Sequence, residues 1–114
     1  MADIRMNVKC SLELKKAFEV FCNNLSKDPS EVLRLFVNKV VDRNDIPAIF
    51  DIADYRTFAG RDGDCLVRVF FRVELEEKQQ FQEVCLRYNI PMSRIIKMFM
   101  MRCLKEGAIP SVLN

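Results

Sequence analysis

Two short segments of the chain carry basic side chains at alternate positions. Apolar residues recur at every second position from Ile4 to Cys10 and again from Val67 to Val73. Between them stand Arg5, Asn7 and Lys9 in the first segment, and Arg68, Phe70 and Arg72 in the second. Arg and Lys suit phosphate and guanine, Asn suits adenine, and an apolar group can touch the thymine methyl. These six positions are therefore candidates for contact with base edges.

The alternation itself predicts a half-buried strand in each segment, because successive side chains of a strand point to opposite faces. Each strand is followed by a helical pattern that starts at Ser11 or Glu74. A second helix is predicted after Asp28-Pro29, where the Asp can cap and the Pro suits the first helical position. We expect the first helices to bury the apolar positions Leu14, Ala17, Phe18, Phe21 and Leu25, and in the second copy Phe81, Val84, Cys85 and Tyr88.

The two segments belong to a repeat that extends over most of the chain. Ile4–Asp51 aligns without a gap with Val67–Asn114 at a constant offset of 63, the difference between 74 and 11 for Glu74 and Ser11. The identical pairs are Arg5/Arg68, Leu12/Leu75, Glu13/Glu76, Lys15/Lys78, Phe18/Phe81, Cys22/Cys85, Ser30/Ser93, Phe36/Phe99, Ile46/Ile109 and Pro47/Pro110. A copy of this size is too short to bury a core alone. Two copies in one chain therefore indicate a dimer-like unit that is covalently joined.

This organisation predicts a mostly α fold with one two-stranded antiparallel β-ribbon. Residues 1–51 form the first strand–helix–helix repeat, 52–65 a linker, and 66–114 the second repeat. Each strand needs a partner, and the equivalent strand of the other copy is available, so the two repeats are expected to form one folded unit. The inner face of the ribbon then rests on four helices, and the six alternate residues face outward.

Composition excludes several classes of function. The chain has no histidine, and its five cysteines form no C-x-x-C pair, so no metal site, cofactor or Cys/His nucleophile is expected. With no phosphate-binding Gly-rich loop either, we do not expect an enzyme. No apolar run is long enough to span a membrane, and a cytoplasmic location fits scattered cysteines without an export signal. The net charge of +2 is uninformative, but acids lie elsewhere, as at Asp62, Glu74, Glu76 and Glu77, so that four of the six outward positions are basic and none is acidic.

These features resemble the ribbon-helix-helix family. Asp-Pro-Ser-Glu-Val-Leu-Arg-Leu-Phe at 28–36 and Asn-Asp-Ile-Pro-Ala-Ile-Phe at 44–50 are similar to the DNA-binding domain of RelB/DinJ-type antitoxins. The wider superfamily includes the Arc and MetJ repressors, which read the major groove with β-strands. The likeness is good for the first repeat and weaker for the second, and the two-copy layout resembles tandem TraY proteins of conjugative plasmids. It implies a tandem ribbon-helix-helix chain that forms an intramolecular pseudo-dimer.

The resemblance implies that Arg5, Asn7, Lys9, Arg68, Phe70 and Arg72 contact bases. It also implies that the start of each second helix holds a phosphate, at Ser30 in one repeat and at Ser93 in the other, where Arg94 could strengthen the contact. Two features depart from the pattern. Phe70 stands where most members have a polar reader, and the chain stops at Asn114, without the long C-terminal segment with which RelB/DinJ-type antitoxins wrap their toxin.

The expected function is double-stranded DNA binding by a transcriptional repressor or autoregulator of a bacterium, plasmid or phage. One alternative is a protein-interaction module that has lost DNA binding, for which Phe70 and the cluster Met98, Phe99, Met100 and Met101 argue. That cluster fits a central core helix better, or a contact to a second copy of the chain side by side on DNA. Another alternative is a relaxosome-type accessory protein of conjugation, which the sequence does not distinguish from a repressor.

Overall fold

A computed structural model describes residues 3–46 and 67–109 of the chain. Their elements follow one another as strand, helix, helix, twice. They are β1 (Asp3–Cys10), α1 (Leu12–Asn24), α2 (Pro29–Arg43), β2 (Val67–Glu74), α3 (Leu75–Arg87) and α4 (Met92–Glu106). The described part is thus mostly helical with one two-stranded sheet, which confirms the predicted fold class at that level. The predicted linker at 52–65 lies outside the described residues.

The backbone of the second half repeats that of the first at the offset found in the sequence. Shifting the bounds of α1 and α2 by 63 residues gives the bounds of α3 and α4. The unusual backbone positions repeat as well. Ser26 (φ 56°) corresponds to Asn89 (φ 55°), and Asn44 (φ 53°) to Gly107 (φ 68°). The identical pairs that lie within the described residues therefore mark a repeated backbone, and the substitutions between them preserve it.

The predicted helix starts have a physical basis in capping. The Ser11 side chain accepts a hydrogen bond from the Leu14 amide at 3.1 Å, and Asp28 accepts one from the Ser30 amide at 3.0 Å. Such bonds satisfy amides that have no partner within the helix. At the start of α3, the Glu74 amide instead donates to Glu77 Oε1 at 3.3 Å. The helices α2 and α4 end at left-handed residues, Asn44 and Gly107, which tolerate positive φ.

The two strands pair antiparallel, as predicted, and their apolar faces are buried. The register places Met6 opposite Phe71 and Val8 opposite Val69. All four of these side chains are buried against the helices. The register also places Asn7 opposite Phe70, and these two residues occupy the same position in their repeats. The two strands therefore pair symmetrically, with equivalent residues of the two repeats facing each other at the centre of the ribbon.

The core is shared between the two halves of the chain. The main helix–helix contacts join α2 to α3 and α1 to α4, and α2 also packs on β2 and α4 on β1. At the centre, the equivalent residues Phe36 and Phe99 stack with their ring centroids 4.3 Å apart, and Phe81 meets Phe36 edge to face at 6.1 Å. All three rings are fully buried. Because partners come from opposite repeats, neither half contains its own complete core.

The structure corrects part of the predicted apolar stripes. Leu25 and Tyr88 cap the C-terminal ends of α1 and α3 and are 38% and 42% exposed, so neither is a core residue. Conversely, Met98, Phe99 and Met100 are buried, which confirms the interpretation of α4 as a central helix; only Met101 of that cluster is exposed. Within the described residues, no helix has the length and apolarity that a membrane span requires.

Candidate nucleic-acid interface

The outward face of the ribbon carries the six residues that the sequence singled out. Arg5, Asn7, Lys9, Arg68, Phe70 and Arg72 are all exposed. The register sets Arg5 opposite Arg72 and Lys9 opposite Arg68, on either side of the Asn7–Phe70 pair. Directly opposed side chains of an antiparallel pair have Cβ atoms only about 4.5–5.5 Å apart, and like charges in that arrangement repel each other. The ribbon thus concentrates four positive charges around its centre.

Acidic residues occur at one end of this face. Asp3 lies opposite Glu74, next to the Arg5–Arg72 pair. Asp3 is exposed, whereas Glu74 is half-buried at the start of α3. The negative charge is therefore at the margin of the ribbon, and the six central positions contain none.

One of the six outward residues is already engaged with another. The guanidinium carbon of Arg5 lies 4.7 Å from the centroid of the Phe70 ring, in cation–π geometry. Phe70 remains 46% exposed. Sequence alternation placed both residues on the outer face but gave no sign of this contact, because it depends on the register between the strands.

The start of α2 flanks the β2 side of the ribbon. Two shallow grooves meet there at Ser30 and Phe70; Arg5, Arg34 and Arg72 line one of them, and Lys15 and Arg68 line the other. The Ser30 amide and hydroxyl both donate to Asp28 Oδ1, at 3.0 and 2.9 Å. The Asp28 carboxylate thus already engages the donors that were predicted to hold a phosphate.

The start of α4 flanks the β1 side and is chemically different. Ser93 and Met92 line a groove with Lys78, Asn7 and Arg5. Pro91 stands at the N-cap and supplies no side-chain hydrogen bond, and the first turn contains no acid. An anion approaching this helix start would therefore meet the positive end of the helix dipole without a competing carboxylate. The third predicted phosphate contact, Arg94, follows Ser93 and is half-buried.

Sequence reasoning missed three basic residues of these grooves, Arg34 of α2 and the pair Lys15 and Lys78. Lys15 and Lys78 are half-buried residues of α1 and α3, and each lies beside the start of the second helix of its own repeat. The sequence contained one signal for the two lysines, because Lys15 and Lys78 form one of the identical pairs of the repeat. The first helices looked like ordinary charged surface, and only the packing of α1 and α3 beside the ribbon gives these lysines a place in the grooves.

The four cysteines among the described residues are buried, so they contribute no reactive group to this surface. Burial raises the pKa of the Cys22 thiol to about 11, and it raises the pKa values of Cys85 and Cys103 to about 12. Neutral thiols are poor nucleophiles and poor metal ligands at neutral pH. Within residues 3–46 and 67–109, there is also no cluster of His, Cys, Asp and Glu that could hold a metal ion.

The C-terminal ends of α2 and α3 are joined by a set of polar contacts. Arg87 Nη2 donates to the Asn44 carbonyl at 2.6 Å and to Asn44 Oδ1 at 2.9 Å, and the Tyr88 hydroxyl donates to Asp45 Oδ1. We call these four residues the clasp. It joins the end of α3 to the end of α2. The equivalent positions in the other repeat are Asn24 and Leu25, and Gly107 and Ala108, whose side chains provide no such donor–acceptor set.

Comparison with known proteins adds no assignment, since no protein-family model matches the chain and no curated protein or solved structure matches it significantly.

Proposed function

We propose that the protein binds double-stranded DNA by placing the outer face of its ribbon in the major groove. The observation that carries this proposal is the pair of opposed like charges, Arg5 with Arg72 and Lys9 with Arg68. Such pairs weaken a ribbon in isolation. They become favourable when a polyanion lies against them, and a two-stranded ribbon has the width that the major groove admits.

We further propose that the chain is a tandem ribbon-helix-helix protein that folds as an intramolecular pseudo-dimer. The recurrence of helix bounds and left-handed residues at one offset supports this interpretation. The register supports it too, since the equivalent residues Asn7 and Phe70 face each other at the centre of the strand pair. Because the outward residues differ between the strands, the proposed DNA subsite is asymmetric rather than palindromic.

Phosphates are expected to bind on both sides of the ribbon, but unequally. On the β1 side, Ser93 and Lys78 combine an uncapped helix start with a cation. On the β2 side, Lys15 lies near Ser30, but Asp28 adds negative charge and already accepts both Ser30 donors. We therefore assign the stronger phosphate contact to the start of α4, and the weaker one to the start of α2.

Fluorescence anisotropy against duplex DNA tests the proposal. The probes are the region upstream of the gene and a shuffled duplex of the same composition, each titrated across a salt series. The proposal expects tighter binding to the upstream duplex, with the logarithm of affinity falling by about 0.9 per logarithm of salt for each phosphate contact. Absence of binding to either duplex at low salt would overturn it.

A role in transcriptional repression is the form of this function that we propose. The relaxosome-type role shares the same DNA contact, so a reporter fused to the upstream region separates the two: a repressor lowers its expression, and an accessory protein of conjugation leaves it unchanged. The argument from the methionine cluster for the protein-interaction alternative is weakened, because Met98 and Met100 are buried in the core.

A further inference from the structure

We infer that Phe70 is a positioning residue that holds Arg5 as the main base-reading side chain of the ribbon. This inference rests on the proposed function. The sequence alone leaves three roles open for Phe70: reading by DNA shape, contact with a thymine methyl, or no part in reading. The Arg5 guanidinium lies over the Phe70 ring, and this contact indicates a positioning role for the aromatic side chain.

The contact spans the ribbon diagonally. Arg5 is opposite Arg72, and Phe70 is the outward residue two positions before Arg72 on the same strand. Diagonal neighbours of this kind are within reach of aromatic and long side chains. The Arg5 side chain consequently extends from β1 across β2, toward the groove that Ser30 and Arg34 line.

A cation–π contact with a ring is compatible with base recognition by an arginine. A guanidinium group is planar, so a contact through its face leaves the N–H groups at its edge available. Those edge donors are the ones that pair with O6 and N7 of guanine. Holding Arg5 in place also removes part of the rotamer entropy that a long side chain otherwise loses on binding.

Within residues 3–46 and 67–109, the equivalent arginine in the second repeat has no aromatic partner. Arg68 is opposite Lys9, so its diagonal neighbour on β1 is Asn7 rather than an aromatic residue. The two arginines are identical in the repeat, but among the described residues only Arg5 lies over an aromatic ring. Guanine preference should therefore be stronger at the base pair that Arg5 contacts than at the one that Arg68 contacts.

A double-mutant cycle on DNA tests the inference. A duplex library with a randomised centre is first selected against the wild-type chain, and single base-pair variants of the selected duplex are then titrated. Phe70→Leu keeps an apolar side chain and loses the π face, and is expected to weaken binding about 3- to 20-fold, the range of a cation–π contact. It should flatten the preference at the base pair that Arg5→Ala also flattens, and the double variant should bind no worse than Arg5→Ala alone.

Two controls keep the result specific. Phe70→Tyr retains the ring and should keep wild-type affinity and preference, whereas Phe70→Leu combined with Arg68→Ala should show additive losses. Because Phe70 is substantially exposed, thermal unfolding should show that each variant is folded. If selection yields no bound duplex, both the proposed function and this inference fail. If the wild type binds but Phe70→Leu leaves affinity unchanged or adds to Arg5→Ala, the inference alone is overturned.

Discussion

The two helix starts beside the ribbon have the same backbone position and different chemistry. The first, at Pro29, is capped by Asp28, which accepts hydrogen bonds from the Ser30 amide and hydroxyl. The second, at Met92, follows Pro91 and has no side-chain cap and no acid in its first turn. An Asp cap stabilises a helix by about 1 kcal/mol and at the same time places a carboxylate where a phosphate would bind.

The difference indicates that local helix stability and anion binding compete for the same amides. In the first repeat, the amides are used internally and α2 gains a stable start. In the second repeat the start of α4 has no side-chain cap, and α4 depends on packing, with six consecutive residues from Ile95 to Met100 buried. Fusion of the two copies allows this specialisation, since each repeat can change without altering the other.

The largest predicted effect is on stability, and it tests whether the two chemically different halves share one core. Phe36→Ala and Phe99→Ala each remove one ring of the central stack and should each lower the free energy of unfolding by about 3–5 kcal/mol. The double variant should lose less than the sum, since the two rings contact each other. Chemical denaturation measures all three. Full additivity, or two separate unfolding transitions, would show that the halves are independent.

The second prediction concerns the basic residues on either side of the ribbon centre. Lys9→Ala and Arg68→Ala should each weaken specific DNA binding by about 1–3 kcal/mol, because each removes a contact to a base edge or phosphate. Lys105→Ala is the matched control. It removes one positive charge from the exposed C-terminal end of α4, roughly 20 Å along the helix from its start beside the ribbon. Wild-type affinity in both ribbon variants would exclude the proposed contact.

The third prediction exchanges the properties of the two helix starts. Asp28→Ala should lower the free energy of unfolding by about 1 kcal/mol and yet raise DNA affinity, because the cap and the repulsive carboxylate are removed together. Asp28→Asn keeps a capping side chain and should raise affinity at a smaller cost in stability. Pro91→Asp, the reverse change, should lower affinity. Thermal unfolding and anisotropy on the same samples make the comparison, and a loss of affinity in Asp28→Asn would contradict it.

The fold was largely predictable because the same strand–helix–helix pattern occurs twice in the sequence. The alternation at Ile4–Cys10 and Val67–Val73 specified the strands and the buried face, and the offset of 63 specified which helices correspond. Alternation fixes only which face a residue is on, since a slip of two residues preserves the faces. The register, and with it the contact between Arg5 and Phe70, could not be obtained this way.

The ends of the first helices show a second limit. Tyr88 continues the apolar period of α3, which predicts a core position, whereas it lies at the helix end and its hydroxyl donates to Asp45, 43 residues away in the chain. Helical periodicity carries no information about which residue faces a neighbouring helix end. The same limit applies to Lys15 and Lys78, whose place in the grooves depends on the packing of the helices.

The smallest predicted effect concerns the clasp, which has no counterpart in the other repeat. The hydrogen bond from Tyr88 lowers the pKa of Asp45, and the same bond raises the pKa of Tyr88. The stabilisation from Asp45 should therefore be present above its ordinary pKa of about 3.9 and be lost as the pH falls through the lower, folded value. The stabilisation from Tyr88 should be present below its ordinary pKa of about 10 and be lost as the pH rises through the higher, folded value.

Tyr88→Phe measures this contribution. The difference in melting temperature between the wild type and the variant should be small and constant around neutral pH, and it should close at both acid and alkaline extremes. Leu25→Phe is a control at the equivalent position outside the clasp, and its difference from the wild type should not follow pH in this way. A Tyr88→Phe difference that is independent of pH would contradict the assigned hydrogen bond.

Dimethyl sulfate protection of a selected duplex tests the central claim most directly, because the reagent methylates guanine N7 in the major groove and adenine N3 in the minor groove. We predict that one chain protects guanines at N7 in an asymmetric pattern, with adenine N3 left reactive, and that Arg5→Ala restores reactivity at a guanine. Protection confined to adenine N3 would contradict a ribbon in the major groove. A palindromic pattern of guanine protection under one chain would contradict the unequal reading of DNA by its two halves.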